Sequence, residues 1–290
     1  MWQLLAIVSA LFSASAAIFE KKALFKSDPL AFSLLVSAFT LLFTAPFFLF
    51  ADIHMVTSSA VLVLFIKSIL GSAAFLLVMT GLKYNDLSNS LPLLVFTPAI
   101  VAVLAFFILS ERISTLEIGG MVLLLAGTYF LQLKKGGGWF SPFLFVKHNK
   151  AQWYILGAIA LFSTTSILDK TLLSGYHLPP EAFLPLQQLF YTLIFLVLFL
   201  FRKGKYQPIQ QQFNNTWRLV LAVAIFAVIY RYSHILAVKA GSVALVLSIK
   251  RTSVFFATVF GGRYFREQNI VRRSIAVLVM VAGTIMIILA

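Results

Sequence analysis

The strongest constraint on this chain is the recurrence of apolar runs long enough to cross a bilayer. Cut at turn residues and charges, they fall at 2–19, 29–50, 59–82, 87–109, 114–133, 153–173, 181–201, 217–238, 241–261 and 272–290. A helical span needs about 20 residues, so ten of them use most of the 290 residues and leave no room for a soluble domain. Composition agrees, since 61% of the chain is apolar and 11% charged, with a mean hydropathy of +0.97. A soluble domain has roughly 45–50% and about 25%. The expected fold class is an all-α membrane protein of ten transmembrane helices. The first run contains Ser13-Ala14-Ser15-Ala16-Ala17, which resembles a signal-peptide cleavage site. Met1-Trp2-Gln3 carries no basic residue ahead of it, however, so the run is read as a mature helix.

The longest polar break, 134–152 with Gly136-Gly137-Gly138, divides the chain into repeats at 1–133 and 153–290. Pro29, Ala31 and Phe32 recur 151 residues on as Pro180, Ala182 and Phe183. Lys83, Glu111 and Ala126-Gly127-Thr128 recur 156 residues on as Lys239, Glu267 and Ala282-Gly283-Thr284, and Glu20-Lys21 recurs as Asp169-Lys170. Five spans per repeat is an odd number, so the second copy enters the membrane from the opposite side and the repeat is inverted. Charge supports the same topology. Connections after odd-numbered spans carry 16 of the 23 basic residues, and those after even-numbered spans carry three. The positive-inside rule places the former in the cytoplasm and both termini on the far side. The net charge of +14 is thereby a topology signal, and nucleic acid is not an expected partner.

Several chemistries are excluded. With no cysteine there is no disulfide, iron–sulfur cluster or thiolate zinc site. The four histidines, His54, His148, His177 and His234, form no HExxH pairing, and no GxxxxGK[ST] loop is present. No catalytic residue, metal or cofactor is expected.

Four basic residues have no topological explanation: Lys67, Arg231, Lys250 and Arg251. At the rise of an α-helix, Lys250 lies about 14 Å inside its span from Gly241, Lys67 about 12 Å from Ser59 and Arg231 about 10 Å from Val238. Parity puts these three depths on one side of the membrane. A charge at such depth costs at least about 2.5–3.5 kcal/mol on insertion scales and normally faces a partner or a wet cavity. The expectation is a basic ring around a shared substrate site. Its alternative is a structural lock, with Asp169 as the available acid. Gln187, Gln188, Tyr230, Tyr232, His234, Thr97 and Asn89 are polar candidates more suited to interhelical hydrogen bonds. Glu111 and Glu267 read as interfacial structural charges, Gly127 and Gly283 as close-packing sites, and Pro92 and Pro98 as a kink in the fourth helix.

Ser110-Glu111-Arg112-Ile113-Ser114 followed by Gly119-Gly120, with Gly261-Gly262, Arg266-Glu267-Gln268 and Ala282-Gly283-Thr284 in the second copy, resembles the EamA repeat of the drug/metabolite transporter superfamily. The resemblance covers essentially the whole chain. It implies a ten-helix secondary carrier working by alternating access, its central cavity lined from both halves. The adjacent Lys250-Arg251 is similar to the basic pair with which the phosphate translocators of that superfamily hold phosphorylated substrates. The first-half counterparts, Leu94 and Val95, depart from that pattern and confine the likeness to two residues. The expected substrate is a small polar anion, a phosphorylated metabolite. The alternatives are an exporter of amino acids or amphipathic cations using Glu20 or Asp169, and a lipid-head-group translocator. The expected partners are the substrate and the lipid bilayer, in a prokaryotic inner membrane, with a homodimer the assembly considered.

Overall fold

The computed structural model describes residues 1–84, 94, 97–132, 150–202, 209–253, 256, 279, 280, 282, 283, 285–287 and 289. Among the described residues the structure is helical, and no strand occurs. The helices are α1 (Trp2–Leu24), α2 (Pro29–Thr44), α3 (Ser58–Tyr84), α4 (Thr97–Leu109), α5 (Thr115–Gln132), α6 (Lys150–Lys170), α7 (Pro180–Leu200), α8 (Ile209–Ala240) and α9 (Val243–Lys250). The described residues between 279 and 289 are also helical. Among the described residues six spans are long and apolar enough to cross a membrane, and α4 and α5 supply shorter apolar helices. Large apolar side chains face outward along them, including Leu62, Phe107, Leu196 and Phe201. With no water in hydrocarbon, such a surface is stable only against lipid. The protein is an integral, multi-pass membrane protein.

Local sequence explains the helix ends. Asp28 caps α2, its Oδ2 accepting from the Leu30 and Ala31 N–H groups, and Pro29 fills the first turn, where a missing N–H costs no helix bond. Pro180 plays the same part in α7. Ser114 and Glu117 open α5 reciprocally: the Ser114 N–H donates to Glu117 Oε2 at 2.6 Å and the Glu117 N–H to Ser114 Oγ at 3.2 Å. The expected 29–50 span is α-helical to Thr44 and then tightens into a 3-10 turn, Ala45–Phe50, around Pro46. Pro98 follows Thr97, the first described residue of α4, and Leu94 lies in a 3-10 conformation; residues 95 and 96, Pro92 and Asn89 lie outside the described residues, and the expected kink falls there. α8 begins eight residues before the expected 217, because its first turns are polar and amphipathic and escape a hydropathy criterion.

The two halves interlock as pseudo-symmetric copies. α1 packs on α8 and α6 on α3, so the first helix of each half meets the third of the other. α2 packs on α7, second helix on second helix, while α1 meets α9 and α6 meets α4. The same symmetry appears in hydrogen bonds. Lys21 Nζ at the end of α1 donates to Leu82 O at 2.5 Å, and Lys170 Nζ at the end of α6 donates to Val238 O at 2.9 Å and Gly241 O at 2.7 Å. Leu82 and Val238 stand at the offset of 156 found in the sequence.

Further contacts tie the halves at both ends of the bundle. At one, Arg202, just past the end of α7, forms a bidentate pair with Asp28, Nη1 to Oδ2 at 2.5 Å and Nη2 to Oδ1 at 2.8 Å. The Asp28 N–H also donates to Gln212 Oε1 of α8 at 2.9 Å. Burial works against the Asp28 charge, but the Arg202 hydrogen bonds, the Ala31 N–H and the Arg202 and Lys83 charges outweigh it and hold the carboxyl below its usual range. At the other end Glu111 caps α9, accepting from Ser242 Oγ at 2.7 Å and the Val243 N–H at 3.3 Å, which accords with the structural reading of that glutamate. Glu267 lies outside the described residues. Gly283 packs backbone to backbone on Gly120, where a Cβ at either would meet the other's carbonyl at 2.6 Å. The contact joins the last helix to α5.

Candidate functional site

Between the halves lies a cavity of about 180 Å³, room on the order of six waters. α1, α3, α6, α7, α8 and α9 all contribute to its wall, and Lys67, Arg231, Lys250 and Arg251 all line it. Depth along each helix placed Lys67, Arg231 and Lys250 at one level, and in the structure these three and Arg251 line one space.

Each cation is held differently. Lys67, from α3, is 3% exposed and makes an ion pair with Asp169 of α6, Nζ to Oδ1 at 2.7 Å, without completing a hydrogen bond at that oxygen. Its ammonium also lies 5.0 Å from the Phe183 ring centre. Arg231, from α8, has no carboxylate contact among the described residues. Its guanidinium instead sits 5.4 Å from the Tyr191 ring, 5.7 Å from Tyr230 and 5.9 Å from Phe75. Contact with these aromatic faces holds the guanidinium in place. The ammonium of Lys250, the last residue of α9, lies 5.2 Å from the Tyr230 ring centre. Arg251 Nε is buried with no hydrogen-bond partner among the described residues.

The expected continuous span 241–261 is interrupted here. Arg251 is a turn residue between helical Lys250 and helical Thr252, and its N–H is shared between Leu247 O at 2.9 Å and Ser248 O at 3.2 Å. Both consecutive basic residues line the cavity, although adjacent residues on a regular helix diverge by about 100°. The residues from 257 to 278 lie outside the described set, and so does the expected Gly261–Arg273 connection.

The polar candidates divide. Gln187, Tyr230 and His234 line the cavity. Buried His234 Nδ1 has no partner and stands in the field of Lys250, Lys67, Arg251 and Arg231. Tyr232 turns away to donate to Glu181 Oε1 at 2.8 Å, and Thr97 donates to Leu94 O at 2.6 Å. Gln188 belongs to a neighbouring void of about 10 Å³, with Nε2 buried and unpartnered.

Sequence reasoning missed Tyr191, which packs on Gly71 and under Arg231 and accepts from Gln187 Nε2 at 3.2 Å. It also assigned Glu20 only to an alternative substrate. Glu20 is 7% exposed and lines both the cavity and the void. The Glu20/Asp169 repeat match was the available signal, but nothing in an apolar span without a clear amphipathic face reports its azimuth.

The cavity thus presents four cations and two carboxylates, with one carboxylate closed on Lys67. Such a surface can hold a small anion by charge-assisted hydrogen bonds in a low dielectric. Among the described residues no group of three metal-ligating side chains occurs.

The profile of the EamA-like transporter family matches residues 1–133 and 149–289, one match per half. A solved crystal structure aligns with a TM-score of 0.75 at 17% identity, covering 99% of this chain and 96% of its own, a likeness of fold. No curated protein matches the chain.

Proposed function

We propose, for a chain that belongs to the EamA-like transporter family and is therefore a membrane transporter, that its cargo is a small polar anion of the phosphorylated-metabolite class, carried by alternating access. The observation that carries this reading is the charge imbalance of the cavity. Lys67 is closed by Asp169, while Arg231, Lys250 and Arg251 have no carboxylate contact among the described residues. Breaking or omitting a counter-charge at such a site costs several kcal/mol, and a dianionic ligand offsets that cost each time it binds. The orphaned Arg251 Nε and His234 Nδ1 supply unsatisfied polar atoms for the ligand's oxygens or hydroxyls. Latches at both ends of the bundle, Asp28–Arg202 and Glu111–Ser242, are suited to forming and releasing as the halves rock about the site.

The basic connections support a cytoplasmic placement of the 134–152 loop, and the short connections between spans support a prokaryotic inner membrane. Thermal unfolding in detergent tests the cargo. Phosphate and phosphate monoesters are expected to raise the melting temperature, and neutral amino acids and quaternary amines are expected not to. Lys250→Gln and Arg251→Gln should each remove the stabilisation while leaving a monodisperse protein. Stabilisation by quaternary amines alone would transfer the site to a cation exporter built on Glu20.

A further inference from the structure

Two acids face the cavity from repeat-equivalent positions, and the fold treats them differently. Asp169 is closed by the buried Lys67 ammonium at 2.7 Å. Glu20, equally placed near the end of α1, makes no hydrogen bond and no ion-pair contact among the described residues. It shares both the cavity and the neighbouring void with Arg231. The Arg231 guanidinium is fixed between the rings of Phe75, Tyr191 and Tyr230 and so cannot follow Glu20 or a ligand far. It faces two anions in turn: the Glu20 carboxylate when the cavity is empty, and the cargo when it is full.

We propose that Glu20 is the proton-binding site of the carrier, taking up a proton when an anion engages Arg231 and releasing it when the anion leaves, so that anion and proton travel together. This rests on the anion-carrier reading. An ionised carboxylate in an apolar interior persists only with a compensating charge. With the cavity empty, Arg231 supplies it. A bound anion cancels that field and adds its own, and a proton from the aqueous face of the cavity then forms an O–H bond on the Glu20 carboxylate. No electron is transferred and no other bond changes. Asp169 is exempt, because Lys67 remains beside it throughout.

Other groups face the same space and bound the assignment. They are Tyr230, Arg231 and His234 on α8, Tyr191 and Gln188 on α7, Lys67 on α3, Asp169 on α6, and Lys250 and Arg251 on α9. Lys21, beside Glu20 on α1, is turned to Leu82 O. Of these, Lys250 and His234 are bases that an arriving anion could also protonate. The experiment therefore separates them from Glu20.

Sulfate, which stays dianionic at neutral pH, is titrated into the purified full chain by calorimetry in two buffers of different protonation enthalpy. The expected result is uptake of roughly 0.5–1 proton per sulfate bound. In Glu20→Gln sulfate should still bind, with proton uptake close to zero. Glu20→Asp should restore it. In the native protein, sulfate should also bring up the infrared carbonyl band of a protonated carboxyl group, a readout that requires no variant to fold. Undiminished proton uptake in Glu20→Gln, or no carbonyl band on binding, overturns the proposal while leaving the anion site standing. Failure of both sulfate and a phosphate monoester to bind the native chain overturns the anion reading, and the coupling with it.

Discussion

Replacing Asp169 by Asn tests the distinction between lock and ligand site at its sharpest point. The substitution keeps the volume and removes the charge that lies 2.7 Å from Lys67 Nζ, where Lys67 is 3% exposed. At that distance and an effective dielectric of about 20, the attraction is about 6 kcal/mol. Desolvation of the two ions offsets much of it, but removing one partner leaves the other buried and unpaired, which costs about 3–5 kcal/mol. The loss is aggravated here by Lys250 and Arg231 on the same cavity wall. Equilibrium unfolding in mixed micelles, with helicity as the readout, should show Asp169→Asn destabilised by that amount. The double variant Lys67→Met/Asp169→Asn should recover most of the loss, because the pair is then gone without leaving an orphan charge. If Asp169→Asn unfolds within about 0.5 kcal/mol of the native chain, Lys67 has no need of its counter-ion and the lock does not exist. If the double variant is as unstable as the sum of the two single ones, the ion pair is not what couples them.

Three further outcomes follow from the geometry. The depressed Asp28 carboxyl contributes stability that is fully present above its unfolded value near about 3.9 and is lost as pH falls through the lower folded value. Discounted for partial exposure, the gap between native and Asp28→Asn should be about 1–2 kcal/mol at pH 7 and should close in acid, as measured by unfolding across that range. Gly71→Ala places a methyl against the Tyr191 hydroxyl, so Tyr191 must shift from beneath Arg231; overpacking of about 1–3 kcal/mol is expected, with weakened phosphate binding by calorimetry. Because the chain has no native cysteine, single cysteines at Gly137 and Ser58 can be labelled in intact cells by an impermeant maleimide. Labelling at 58 and protection at 137 is expected, and the reverse pattern would invert the topology.

The spans and the repeat were legible because both are properties of the chain in one dimension. Hydropathy finds the segments, and an offset such as Leu82 to Val238 survives in the fold as equivalent contacts. The clustering of Lys67, Arg231, Lys250 and Arg251 was half legible: counting residues gave their depth, and only packing gave their direction. Nothing in the sequence distinguished a locked acid from a free one, since Asp169 and Glu20 occupy matched places and differ in which helix face Lys67 and Arg231 present. The turn at Arg251 was hidden for a related reason, because Ser248-Ile249-Lys250-Arg251-Thr252 contains neither glycine nor proline to mark it.

The central claim is that the three cations without a carboxylate partner form an anion site between the halves. Uptake of radiolabelled phosphate into proteoliposomes preloaded with unlabelled phosphate measures it directly, since exchange requires binding from both faces of one cavity. The account predicts saturable exchange in the native chain and at least a tenfold loss in both Lys250→Gln and Arg251→Gln, the fold-change of a charge-assisted contact worth about 1.5–3 kcal/mol. Exchange at the native rate in both variants, or a native chain that exchanges an amphipathic cation and no phosphate, would contradict it.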